Sequence, residues 1–307
     1  MQFCLEIWGT DYEKIKETCI LAEKLGYYGF YYGESLAEID LDCWSIISNL
    51  SAITTRIKLG SVITYLIPQY RNIALLAKQA TTLQDMSKGR LEFRTGAGAT
   101  HDYAVQWWYP YGIDYPNRAD RVSLLDEGIK VLKLLWSKPN VNFNGKYFKI
   151  NGASLRNPKQ SIPITVAAKG KRMMEIAAKH ADIWESSYLS SGHFASLKLK
   201  FEEISSEKFN NASKIMKSIE LDVIIANSDS DLEYKKRLFA MERGPAMLNQ
   251  LLRHSLVGKP EDIAQKVREY MDVGVQQFFL AFQDPFDYNS LNLFMDTVKG
   301  FTGNNAN

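Results

Sequence analysis

The chain has 307 residues, and its 37 Lys and Arg against 35 Asp and Glu leave a formal charge of +2. So even a balance excludes a dedicated polybasic nucleic-acid or membrane surface, and 46% hydrophobic with 23% charged residues excludes a disordered or fibrous chain. Three cysteines (Cys4, Cys19, Cys43), none in a C-x-x-C spacing, and four scattered histidines exclude a disulfide framework and the common zinc motifs.

The start, Met1 to Glu6, lacks a basic secretory leader, and no apolar run reaches the roughly 18–20 residues of a membrane span. A cytoplasmic protein is expected, with a small-molecule substrate and a second copy of itself as partners, and neither nucleic acid nor membrane.

Short apolar runs alternate with amphipathic helices along the chain. Residues 3–8 read as a strand. Thr10, with Glu13 three residues on, predicts a capped helix that Gly26 stops. Residues 28–32 follow as a strand and 42–53 as a helix; then 57–64 as a strand and 72–86 as a helix, with a turn at Ser87-Lys88-Gly89. The fourth strand, 91–95, ends in Gly96-Ala97-Gly98, and a long loop leads to a helix over 118–136. Residues 137–160, rich in Pro, Asn and Gly, read as an inserted hairpin with strands at 141–143 and 147–150. Strands at 162–167, 183–186, 218–226 and 276–282 complete the set. The helices between and after them fall at 171–180, 194–209, within 232–253, from Pro260 to 272, and at 291–301.

Eight strands that are apolar on both faces, each followed by helix, predict a parallel sheet covered on both sides. The count favours an α/β fold of the (β/α)8 TIM-barrel type, with the insertion after the fourth helix, over an open doubly wound sheet. One domain spanning residues 1–307 is expected.

Chemistry in such a barrel sits at the C-terminal strand ends. Ile7 closes strand one and Thr64 strand three. Glu34 and Ser35 close strand two, where Glu34 is the best-placed carboxylate. Gly96-x-Gly98 lacks the third glycine of a dinucleotide fingerprint, because His101 stands there. Its glycines allow either a tight turn or the close approach of something flat. Ala168-Lys169-Gly170-Lys171-Arg172 joins a strand to a helix, and free N–H groups, a glycine and three cations suit a phosphate, although solvated lysines explain it too. Glu92 inside strand four reads as a partner for Arg90 or Arg94, and Trp107-Trp108-Tyr109 as a packed rim or a stacking platform. Glu34 and Glu185 can also be drawn as a glycosidase pair.

Several stretches in order resemble the bacterial luciferase-like monooxygenase family of flavin and deazaflavin oxidoreductases. They are Ala22-Glu23-Lys24-Leu25-Gly26-Tyr27, Thr55-Arg56-Ile57-Lys58-Leu59-Gly60, the run from Ala77 to Arg90 ending at Gly96-Ala97-Gly98, and Glu127 through Trp136 with Asn144-Gly145-Lys146-Tyr147-Phe148. Ala177-Ala178-Lys179-His180-Ala181-Asp182 and Val257-Gly258-Lys259-Pro260-Glu261-Asp262 complete them. The resemblance implies a barrel holding an isoalloxazine-type ring in its mouth, with the phosphate on the strand-five loop. Residues 166–173, with one glycine before the helix, and Val62-Ile63-Thr64 are similar to the branch that uses the deazaflavin coenzyme F420, best known from methylenetetrahydromethanopterin reductase; FMN is the alternative cofactor.

The resemblance implies hydride transfer between reduced F420 and a small organic substrate. Ile7, Thr64, Gly96, Ala97 and Gly98 would line the ring, and Ala168, Lys169, Gly170 and Lys171 would hold the phosphate. Glu34 and Ser35 would serve catalysis. Members of the family often carry a carboxylate followed by histidine at the end of strand two, where this chain has Glu34-Ser35, so another group must handle the proton. An FMN-dependent monooxygenase using oxygen and a flavin-binding barrel without turnover are the alternatives.

Overall fold

The computed structural model describes residues 1–302. In chain order, β1 (Gln2–Ile7), α1 (Tyr12–Leu25), β2 (Gly29–Gly33), α2 (Cys43–Ile53), β3 (Lys58–Val62), α3 (Ile73–Met86) and β4 (Phe93–Gly96) form the first half. α4 (His101–Trp107), α5 (Arg118–Ser137), the hairpin β5 (Val141–Asn144) and β6 (Lys149–Ala153), β7 (Ile164–Ala167), α6 (Lys171–His180) and β8 (Ile183–Ser187) follow. α7 (Ser191–Phe209), β9 (Met216–Ile225), α8 (Asp229–Arg243), α9 (Pro245–His254), β10 (Leu256–Gly258), α10 (Pro260–Asp272), β11 (Gln277–Phe282) and α11 (Tyr288–Val298) end the chain.

The main sheet runs β3-β2-β1-β11-β9-β8-β7-β4. Its two ends meet: Leu59 bridges Leu91 and Thr64 bridges Thr95, both parallel. Leu59 N donates to Arg90 O and Thr64 N to Arg94 O, each at 2.9 Å. Eight parallel strands thus form the expected (β/α)8 arrangement, and the inserted hairpin is a separate two-stranded sheet. The contacts gather into two compact units, one made of Met1–Ile7, Asp11–Phe30 and the chain from Glu185 on, the other of Trp8–Thr10 and Tyr31–Trp184.

Local chemistry explains the element boundaries. Asn72 accepts from Ala74 N and Leu75 N, each at 3.0 Å, to start α3, and Gly26 ends α1 in the left-handed region at φ 87°. Aromatic side chains fill much of both units. In the first, Phe3 stacks on Phe278 at 5.3 Å and meets Phe294 edge-on at 5.6 Å. In the second, Phe93 meets Trp136 edge-on at 5.5 Å.

Four local expectations are corrected. The cap of α1 is Asp11, accepting from Lys14 N at 3.2 Å, and not Thr10. The single helix expected within 232–253 is two, broken where Gly244 turns to φ 89° and Pro245 starts α9 without an N–H to donate. The loop after β4 contains α4, and a short strand not anticipated, β10, pairs in parallel with β9 through Leu256–Val223. No described helix is long and apolar enough to cross a membrane.

Candidate functional site

The ends of β2, β3, β4 and β7 belong to the second unit and carry most of the residues singled out in the sequence. Glu34 follows β2 and is 3% exposed. Its Oε1 accepts from Arg71 Nη2 and its Oε2 from Thr64 Oγ1 at 3.0 Å. Ser61 Oγ lies 2.6 Å behind Thr64 Oγ1, so a polar chain runs Ser61–Thr64–Glu34–Arg71. The Arg71 guanidinium lies over Tyr70 at 5.0 Å and Trp44 at 5.7 Å. Burial pushes the Glu34 carboxyl up from its ordinary range, against the pull of Arg71, Thr64 and Tyr70. Thr64 itself is fully buried, with its backbone held by Arg94 O and Thr95 Oγ1, and the Val62–Ile63 peptide just before it is cis.

Ser35, the next residue, joins no part of that polar chain and bonds to Asp40 instead. Its Oγ donates to Asp40 Oδ2 at 2.9 Å. The Asp40 backbone also bridges Gly9 in parallel. A Cβ at Gly33 would fall 2.5 Å from Asp40 Oδ1, which is why the strand ends on a residue without a side chain. Tyr32 Oη donates to Gly9 O at 2.5 Å and accepts from Leu41 N at 2.7 Å, pinning the loop from both sides.

After β4, Gly96-Ala97-Gly98 is held from outside by Tyr115, just before α5, and Arg121 in its first turn. Arg121 donates to Ala97 O at 2.8 Å, Ala99 O at 3.1 Å and Pro116 O at 2.6 Å, with its guanidinium 4.2 Å over the Tyr115 ring. Tyr115 Oη donates to Ala99 O at 3.0 Å. Gly98 sits at φ 82°, where a Cβ would also collide with Tyr115 Oη. Gly96 has more room, its nearest neighbours being Ile63 Cδ1 at 3.1 Å and Ala167 Cβ at 3.4 Å from a would-be Cβ. Trp108 is the packed rim and not an open platform: it is 1% exposed, edge-on to Tyr65 and Tyr70 at 4.9 Å each and stacked on Tyr115 at 5.9 Å.

After β7, Ala168 is buried and its carbonyl accepts from Trp184 Nε1 at 2.9 Å. Gly170 caps α6 without any side-chain hydrogen bond, leaving the first helical N–H groups without intrahelical partners. A Cβ at Gly170 would meet only Arg118 Nη2, at 3.7 Å. Arg118, Gly170, Lys171 and Arg172 line a cavity of about 330 Å³ together with Ala119, Val122 and Met173. Lys169, Lys171, Arg172 and Arg118 are all exposed, and Arg172 donates to Ser123 Oγ at 2.5 Å. Uncapped N–H groups, a residue without a side chain and converging cations fit a phosphate.

Thr64, Gly96, Ala97, Gly98, Ala168, Lys169, Gly170 and Lys171 therefore lie on neighbouring strand ends of one unit, with Glu34 and Ser35. Ile7 is the buried last residue of β1 in the other unit. Both Glu34 oxygens are already engaged. Arg90 donates to the carbonyls of Ser51, Thr54, Ile57 and Ser87, and Glu92 accepts from Tyr31 Oη. Sequence reading missed Asp40, Arg71, Arg118 and Arg121. Among the described residues, no group of three or more His, Cys, Asp or Glu gathers to hold a metal.

A 32% identical stretch of 132 residues, 42% of this chain, is shared with the F420-dependent glucose-6-phosphate dehydrogenase of Amycolatopsis mediterranei (strain U-32). A 28% identical stretch of 184 residues, 56% of this chain, is shared with the pyrimidine monooxygenase RutA of Rhizobium rhizogenes. The chain spans 38% of the first relative's length and 49% of the second's. Among solved structures, an F420-dependent secondary alcohol dehydrogenase in complex with an F420–acetone adduct superposes with a TM-score of 0.85 at 19% identity, covering 98% of this chain and 99% of that one, which establishes the shared fold. The model of the luciferase-like monooxygenase family matches residues 6–240, and the chain belongs to that family.

Proposed function

We propose that the protein is an F420-dependent oxidoreductase that moves a hydride between the deazaflavin and a small organic substrate. The observation that carries this reading is the cationic groove at the start of α6. Arg118, Lys169, Lys171 and Arg172 surround an uncapped helix N-terminus at Gly170, and all four are exposed. An open groove suits a phosphodiester whose anionic tail continues into solvent, as in F420, better than a closed pocket for the terminal phosphate of FMN. The F420-dependent dehydrogenases among the relatives support the same choice.

The cofactor supplies the hydride chemistry when bound. The chain's own part is to bind, orient and exclude water. Gly96, Ala97 and Gly98 offer backbone that a flat ring can approach, with Thr64 as a further contact. Ala168, Lys169, Gly170 and Lys171, with Arg118, would take the phosphate. Glu34 would fix the wall beneath the ring through Thr64 and Arg71, and Ser35 would face the substrate's proton. The test is a binding titration of purified protein with F420 and with FMN, together with the absorbance and mass of any ligand it releases. Binding of F420 at least tenfold tighter is expected; tight FMN binding with no uptake of F420 overturns the choice and returns the oxygen-using monooxygenase.

A further inference from the structure

We infer that Asp40 is the proton reservoir behind Ser35, so that the two act as a relay at the end of β2. The inference rests on the F420-dependent reading and adds to it a residue that sequence reading did not single out. Asp40 lies five residues beyond Ser35, in the loop that returns toward Gly9, and Ser35 Oγ and Asp40 Oδ2 are 2.9 Å apart. At that separation either group can donate, according to whether the carboxyl is ionised. With Asp40 ionised, Ser35 donates to it; with Asp40 protonated, the carboxyl donates to Ser35 and the serine hydroxyl is released to point at a substrate oxygen.

The surroundings favour such a role over a plain turn contact. The loop is over-determined without the Ser35 bond: Gly9 N donates to Ile39 O at 2.9 Å, Asp40 N to Ala37 O at 3.3 Å, and Tyr32 Oη ties Gly9 to Leu41. The absence of a side chain at Gly33 creates the space the carboxylate occupies, and Asp40 Oδ1 is buried there with no hydrogen bond. Burial pushes the Asp40 carboxyl up from its ordinary range, opposed by the Ser35 hydroxyl and the nearby Gly9 amide. The titratable groups facing it are Tyr32 from β2, Cys43 from α2 and Tyr65 beyond β3. Burial holds each of those three in its neutral form at neutral pH, so none supplies a counter-charge.

Balance is simple in the reducing direction. Bound F420 would supply the hydride, with its electron pair, for the new C–H bond, and the carbon–oxygen π pair would move onto the substrate oxygen. That oxygen takes the proton of Ser35 Oγ, Ser35 takes the proton of Asp40, and water reprotonates the carboxylate. In the oxidising direction Asp40 carboxylate receives the alcohol proton through Ser35. This supplies the proton transfer that a histidine after the strand-two carboxylate would otherwise perform.

The first test needs no turnover. In protein with ¹³C-labelled aspartate, the Asp40 carboxyl resonance, assigned by its loss in Asp40→Asn, should titrate above the ordinary carboxylate range, and Ser35→Ala should move the midpoint higher. An ordinary midpoint, or one that Ser35→Ala leaves in place, overturns the relay. F420 affinity is measured on the same samples and should change less than twofold in either variant. Failure of wild-type protein to bind F420 refutes the functional reading separately, because the titration does not depend on it. With reduced F420 and acetone as the probe, Ser35→Ala should lower kcat about 100-fold with KM unchanged. The wild-type rate should fall as pH rises through the Asp40 midpoint. Asp40→Asn should abolish that limb and Asp40→Glu retain it; a limb that persists in Asp40→Asn overturns the proposal.

Discussion

Glu34 Oε1 and Arg71 Nη2, 37 residues apart in the chain, form an ion pair in which the carboxylate side chain is 1% exposed and the guanidinium 11%. Two strand-end residues and a loop arginine are thereby locked together, since Thr64 holds the other carboxylate oxygen. A buried pair of this kind adds little over an apolar substitute, but leaving one charge alone costs about 3–5 kcal/mol. Arg71→Leu should therefore lower unfolding stability by that amount in a urea titration. Glu34→Gln, whose single amide oxygen can still accept from Arg71 and whose N–H can turn to Thr64 Oγ1, should cost clearly less, because the guanidinium keeps that bond and some contact with solvent. Equal losses for the two variants would show that the pair does not act as described.

Gly98 and Tyr115 form a second such relationship. A methyl at Gly98 meets both an unfavourable φ of 82° and the Tyr115 hydroxyl. Gly98→Ala should destabilise by about 1–3 kcal/mol. Tyr115→Phe removes the colliding oxygen and its bond to Ala99 O, so the double variant should recover part of the Gly98→Ala loss. Strict additivity in thermal melts would assign the whole cost to backbone strain instead.

All eight barrel strands were legible in the sequence, because apolar runs and helix caps are local signals that neighbouring residues carry. Lys171–His180 and Pro260–Asp272 were read to the residue from a glycine and a proline at their starts. What could not be read was partnership across the chain. Arg71 looked like one scattered charge among 37 basic residues, and only folding sets it on Glu34. Asp40 and Arg118 were hidden for the same reason. β10 was missed because three residues carry no periodicity, and Thr10 was favoured over Asp11 because both are good caps one position apart.

The α6 groove makes a prediction about binding. Arg118→Ala removes the cation that reaches Gly170 from α5 and should weaken F420 affinity about tenfold, the scale of one charge-assisted hydrogen bond. Gly170→Glu places a carboxylate where the phosphate would sit and should weaken it further. Both losses should shrink at high salt, which screens exposed cations. Fluorescence quenching of F420 by the variants measures this directly, and unchanged affinity in Gly170→Glu would remove the phosphate from this groove.

The last residue of α6 makes the fold sensitive to acid. His180 is 6% exposed, its Nε2 lies 2.6 Å from Asp126 Oδ1 on α5, and Lys179 donates to the same oxygen at 2.9 Å. Burial holds the imidazole below its ordinary value, and the Asp126 carboxylate only partly offsets this. At Asp126 burial pushes upward, but the hydrogen bonds from Lys179 and His180 outweigh it and the carboxyl ends below its ordinary range. Both groups thus bind protons less readily folded than unfolded, so stability rises with pH across their titrations. The His180 contribution is complete above pH about 6.5 and is lost as pH falls through the folded value; the Asp126 contribution is lost only below the ordinary range of aspartate, near pH 4. Melting temperature should therefore drop between pH 7 and pH 5. In His180→Gln, which keeps an N–H toward Asp126 and cannot titrate, that drop should flatten. A wild-type slope in the variant would place the acid sensitivity elsewhere in the protein.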